Sequence, residues 1–168
     1  MMGYWSKAAG ELRKSVSEME EEISGYSYKD PKHTEKTDFK FRKIIASEIN
    51  KCRDLLFPLI EAAYIEQDMK KAGVFDEMMQ WFDIFLLELG IGMKWSEVAE
   101  KKDYMRLIRL DVSMLKNTRR LTDVMKALNE SVLEKKRTVN VSEKGRQIKK
   151  YIMDLLSLFK KRRLSLGG

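Results

Sequence analysis

Lys116, Asn117, Thr118, Arg119 and Arg120 stand in one unbroken run, and they carry the clearest binding chemistry in this sequence. Arginine and lysine hold phosphate or donate to guanine edges, and asparagine pairs with adenine, so a helix bearing them suits a nucleic-acid duplex. More candidate cations follow at Lys126, Lys135, Lys136, Arg137, Lys144 and Arg146. All of them belong to a lopsided charge distribution. Residues 1–100 hold 14 Lys and Arg against 19 Asp and Glu, a net of −5. Residues 101–168 hold 19 against 7, a net of +12. A basic third on an acidic body predicts a polyanionic partner for the one and packing or pairing for the other.

Other chemistry is thin. Cys52 is the only cysteine and His33 the only histidine. That excludes a disulfide within the chain, a zinc site built from thiolates, and a two-histidine di-iron bundle. His33 lies in Asp30-Pro31-Lys32-His33-Thr34, a polar loop in which a solvated histidine is expected. Glu18, Glu21 and Glu22, with Glu61, Glu66 and Asp68, raise a magnesium-dependent helical phosphohydrolase, whose carboxylates converge on a hard cation. A solvated acidic face accounts for the same residues. No glycine-rich phosphate loop, nucleophile elbow or dinucleotide fingerprint is present. The expectation is therefore a protein that is not an enzyme, with no catalytic residues, no metal or cofactor ligands and no small-molecule substrate. Trp81, Phe82 and Phe85 read as core, flanked by Asp83 and Glu88. Tyr26 and Tyr28, beside Lys29 and Lys32, are the remaining candidates for base stacking.

These residues must be positioned by helices. The chain has 43% hydrophobic and 35% charged residues, two prolines and nine glycines, a mixture that predicts a mostly α fold. Leu12, Val16, Met19 and Ile23 form one stripe of a first helix over 5–24, followed by a polar loop from Gly25 to Lys36. Thr37 or Asp38 is placed to cap a second long helix, kinked at Pro58 and ended by Gly73. A third spans 74–89, closed by Gly90 and Gly92, and its apolar residues cover more than one face. A short helix is expected at Trp95–Ala99 and another from Tyr104, breaking before Asp111-Val112-Ser113. The next runs from Ser113 to about Leu128, with a turn at Asn129-Glu130-Ser131. Val132, Thr138, Val139 and Val141 form the β-favouring cluster of this half. Ser142 then caps a last helix whose apolar face is Ile148, Ile152, Leu155, Leu156 and Phe159. Val74–Met93 is interrupted by Asp76, Glu77, Asp83 and Glu88, so no membrane span is expected. The N-terminus lacks the apolar run of a secretory signal, and with the single cysteine this predicts a cytoplasmic protein.

The order of elements between Trp95 and Ile152 resembles winged-helix DNA-binding regulators. Trp95–Ala99 resembles the first helix of a helix-turn-helix, and Asp111–Arg120 its groove-reading helix. Val132–Arg146, with Ser142-Glu143-Lys144-Gly145-Arg146, is similar to the wing leading into a packing helix. The resemblance covers about a third of the chain and implies duplex binding by the reading helix, with Lys135, Lys136 and Arg137 at the hairpin tip. Val112 lies thirteen positions after Ala99, further than in a compact helix-turn-helix, and Ser131 stands where a glycine is usual. Leu115–Arg120 and the terminal Arg163–Gly168 also resemble the helical A-domain of GINS replication-complex subunits, which implies assembly instead of base reading.

Together these readings predict a helical bundle with a basic C-terminal region and one small winged-helix-like β-hairpin. Residues 1–93 form an acidic association region and 94–168 a basic DNA-binding region. The expected function is non-enzymatic binding of duplex DNA, by a regulator or accessory factor that pairs with a second copy or another protein. The alternative is a helical scaffold subunit meeting an acidic partner, with the phosphohydrolase third.

Overall fold

The structure, a computed structural model, describes residues 2–90, 104–135 and 138–167. Five helices carry them: α1 (Met2–Glu22), α2 (Pro31–Ile65), α3 (Met69–Leu89), α4 (Tyr104–Leu133) and α5 (Val141–Leu166). No strand occurs among the described residues.

Local chemistry sets most of the ends. Asp30 caps α2 by accepting from the His33 backbone N–H, and Pro31 occupies the first turn, where its missing donor does no harm. The helix thus begins well before Thr37 and Asp38, the expected caps, both of which are buried. Pro58 lies inside α2, which continues to Ile65. Burial of Leu56 and Leu59 on either side of it offsets the lost hydrogen bond. Gln67 then turns the chain with φ of 57° and Asp68 caps α3, so Gly73 falls inside a helix instead of ending one. Gly90 closes α3 in the left-handed conformation, as expected of a C-terminal glycine. Gly92 and the Trp95–Ala99 helix lie outside the described residues.

The second half departs further from the sequence reading. α4 runs unbroken through Asp111-Val112-Ser113 and through Asn129-Glu130-Ser131. Asp111 faces the core there, and the Asn129 side chain donates to the Leu55 carbonyl of α2 at 2.7 Å. Tertiary partners satisfy both residues without a turn. Val132 and Leu133 form the last turn of α4, and residues 138–140 adopt no strand. Asn140, not Ser142, caps α5, accepting from the Glu143 N–H at 3.1 Å.

α2, α3, α5 and α4 pack in that order around one core, and among the described residues α1 lies outside against α4 alone. Ion pairs and side-chain bonds give the directions. Cys52 meets Thr122 and Leu55 meets Asn129, so α2 and α4 are parallel; Arg42 reaches Leu89, so α3 runs back against α2. Arg162 meets Asp111, so α5 runs back against α4. The core is the apolar stripes of all four helices, with Phe41, Phe75, Phe82, Phe85 and Phe159 essentially inaccessible. Gly145 lets α5 approach α3 closely, because a Cβ there would stand 2.7 Å from Val74 Cγ1. The bundle surrounds most of α3, leaving Met69, Ile84 and Leu87 as its exposed large apolar side chains.

Candidate nucleic-acid interface

The two helices of the basic third are held by a polar layer where α2 and α4 begin and α5 ends. Arg162 is fully buried. Its Nε donates to Asp111 Oδ1 at 2.5 Å, one Nη donates to Asp38 Oδ1, and the other donates to Tyr28 Oη at 3.0 Å. The guanidinium lies over the Phe41 ring, 4.3 Å from its centroid. Tyr26 and Tyr28 both donate to Asp111 Oδ2. Asp38 also accepts from Arg42 Nε at 3.0 Å, and Arg42 donates to the Leu89 and Gly90 carbonyls that end α3.

Burial pushes the Asp111 carboxyl upward, and the Arg162 charge and tyrosine hydroxyls pull against it. Desolvation likewise raises both tyrosines, so they remain neutral donors. Two carboxylates and two guanidiniums balance in charge, and both Asp111 oxygens accept from members of the layer. The layer locks α2, α4 and α5 together. Tyr26 and Tyr28, candidates for base stacking from sequence, are buried parts of it.

On the surface the arrangement is the opposite. Among the described Lys and Arg of α4 and α5, Arg162 alone is buried. Lys116, Arg119, Arg120 and Lys126 are exposed along α4 and Asn117 is half-buried beside them. Arg146 is exposed and Lys144 half-buried on the first turns of α5. Lys135 is exposed just after α4, 3.4 Å from Glu66 across the far end of the bundle. Lys136 and Arg137 lie outside the described residues. The structure therefore gathers Lys116, Arg119 and Arg120 in one place and puts Lys135, Lys144 and Arg146 toward the other end. Exposed Lys150, Lys160, Lys161 and Arg163 extend the positive surface along α5.

The gathered cations have company. Glu18, Glu21 and Glu22 of α1 line one cleft of about 480 Å³ with Lys116, Arg119, Arg120 and Asp123. Arg119 pairs with Glu22 at 2.7 Å, and this contact holds its guanidinium above the ordinary range. The acidic cluster that raised a metal site from sequence thus faces basic side chains. No group of three or more His, Cys, Asp or Glu able to hold a metal occurs among the described residues. Nor is any described helix long and apolar enough to cross a membrane. Cys52 is buried, accepts or donates at 3.6 Å with Thr122, and has its thiol pushed up to about 11 by desolvation.

The sequence reading missed the polar layer, yet its residues carry a signal. Arg162 continues the stripe Ile148, Ile152, Leu155, Phe159 at the next helical step, and Asp111 falls between Ile108 and Met114 on the buried face of α4. A charge on a core stripe is a buried charge in waiting. Comparison with protein-family models, curated proteins and solved structures found no match.

Proposed function

We propose that this protein binds duplex DNA without catalysing a reaction, as a regulator or accessory factor, through phosphate contacts made by α4 and α5. The observation that carries this reading is the net +12 over residues 101–168. Apart from Arg162, the described Lys and Arg of α4 and α5 are exposed or half-buried on two adjacent packed helices. Such a surface attracts a phosphate backbone whatever the base sequence, and Asn117 and Arg120 are the side chains placed to add preference. A rigid α4, clamped at its first turns by the Arg162 layer, gives those contacts a fixed geometry.

The test is a salt titration of duplex affinity. The logarithm of the binding constant is expected to fall with the logarithm of salt by roughly 0.9 for each phosphate contacted. Replacing Lys116, Arg120 and Lys126 by glutamine is expected to flatten that slope. Absence of binding at low salt, or binding indifferent to salt, would reject the reading.

One observation favours the alternative of an assembly subunit. The Lys116, Arg119 and Arg120 surface already accommodates a glutamate-rich helix in α1. An acidic helix of a protein partner has the same chemistry. In that reading a second copy or another subunit would use the exposed Ile84 and Leu164, which border a groove of about 450 Å³ with Lys160 and Arg163. A protein that ignores duplex DNA but sediments above 20 kDa, or captures an acidic helical peptide, would favour it.

A further inference from the structure

We infer that α1 is an acidic strap that masks part of the basic face and is displaced when a polyanion binds; the inference rests on the duplex-binding reading. Three observations converge. First, among the described residues α1 packs on α4 and on no other helix, so the other four helices keep their mutual packing without it. Second, its hold is slight. Met19 is its one buried described side chain, with Leu12 and Val16 half-buried, and the rest of its described surface is largely solvent-facing. Third, the side chains it brings to α4 are Glu18, Glu21 and Glu22, set in one cleft with Lys116, Arg119 and Arg120.

A phosphate backbone and a run of glutamates compete for the same guanidinium and ammonium groups. The carboxylates therefore act as an internal counterion, which the phosphates of a duplex replace. An exposed charge further along the same helix, Lys126 of α4, favours binding without this barrier. Contact there raises the local phosphate concentration next to the strap.

Release has a defined limit. Ile23 is buried immediately after α1, and Tyr26 and Tyr28 are tied to Asp111. The loop stays clasped to the bundle, so only residues up to Glu22 can swing away. The strap remains tethered at a high effective concentration, closes again when the polyanion leaves, and sets a threshold for binding.

The experiment replaces Glu18, Glu21 and Glu22 by glutamine in the full chain. A control removes the same charge from exposed residues outside this cleft, Glu35→Gln, Asp54→Asn and Glu61→Gln. Binding to a 20-base-pair duplex is followed across salt, together with amide exchange. The strap variant is expected to bind about tenfold more tightly at low salt, with a slope steeper by roughly 0.9 per newly contacted phosphate. The control is expected to gain far less. Adding duplex to the unaltered protein is expected to raise exchange over residues 8–22 while residues 26–30 stay protected. Equal gains in strap variant and control, or α1 protected on DNA as in its absence, would overturn the inference. If no form binds duplex, the function reading falls, and exchange of the glutamine variant alone decides the strap. Faster exchange over α1 would support the acidic latch, and unchanged exchange would refute it.

Discussion

Arg119 and Arg162 come from the same basic third, carry the same group and both meet carboxylates, yet they belong to opposite kinds of site. Arg162 is sealed among Asp38, Asp111 and Tyr28, with no contact to solvent. Arg119 reaches one glutamate across a solvated cleft. Inside, three partners replace water and fix the guanidinium in one geometry. Outside, water and salt compete with Glu22 for an exposed guanidinium, and such a pair exchanges readily for another anion. The 19 Lys and Arg of the region therefore overstate the cations it offers to a partner, because Arg162 is part of the core. The same comparison locates the switchable charge: it lies where α1 rests on α4, and not where α4, α5 and α2 meet.

The largest effect that could break this comparison is at Arg162. Its replacement by methionine leaves Asp38 and Asp111 buried without their shared cation, and about 3–5 kcal/mol of unfolding free energy is expected to be lost. Urea denaturation reads this directly. A loss below about 1 kcal/mol would mean that the layer is solvated and the contrast with Arg119 false.

A smaller effect sharpens the contrast through pH. Tyr26 and Tyr28 have folded-state values raised above 10.0, chiefly by desolvation. The unfolded chain releases these protons near pH 10 while the folded chain keeps them. Stability is thus full below about pH 10 and falls above it, by about 1.4 kcal/mol per pH unit for each tyrosine. Denaturation midpoints measured between pH 8 and 11 check the slope. Phenylalanine at both positions is expected to flatten the alkaline limb, at the expense of two hydrogen bonds to Asp111 at every pH. An alkaline limb that persists in the double variant would assign it to other groups.

The smallest expected effect is at Arg119 itself. Alanine there removes an exposed pair and is expected to change stability by about 0–1 kcal/mol, with midpoints nearly superimposable on the parent. A loss comparable to that at Arg162 would show that α1 is an integral part of the core, and the strap would not be separable.

Much of this architecture was legible beforehand. Leu12, Val16 and Met19 of the expected first stripe mark the face of α1 that meets α4, and Ile148, Ile152, Leu155 and Phe159 mark the core face of α5. Of the three aromatics expected in the core, Phe82 and Phe85 are fully buried and Trp81 packs half-buried against it. Element ends were less legible, because several short polar residues compete for one cap: Asp30 prevailed over Thr37 and Asp38, and Asn140 over Ser142. The expected breaks at Asp111-Val112-Ser113 and at Asn129-Glu130-Ser131 failed for a common reason. Polar residues inside a helical pattern look like turns until their distant partners are known.

By itself the sequence determined that the chain is helical, that its helices are amphipathic, and that positive charge collects after residue 100. Those properties are local: they follow from helical period, propensity and composition. Only the tertiary structure decided which charges face water. Arg162 owes its burial to Asp111, Asp38 and Tyr28, which are 51, 124 and 134 residues away in the chain. Glu22 likewise finds Arg119 only because α1 folds back along α4. A helical period states which side of a helix a residue occupies, but the dielectric around its charge depends on the other helices packed against that side.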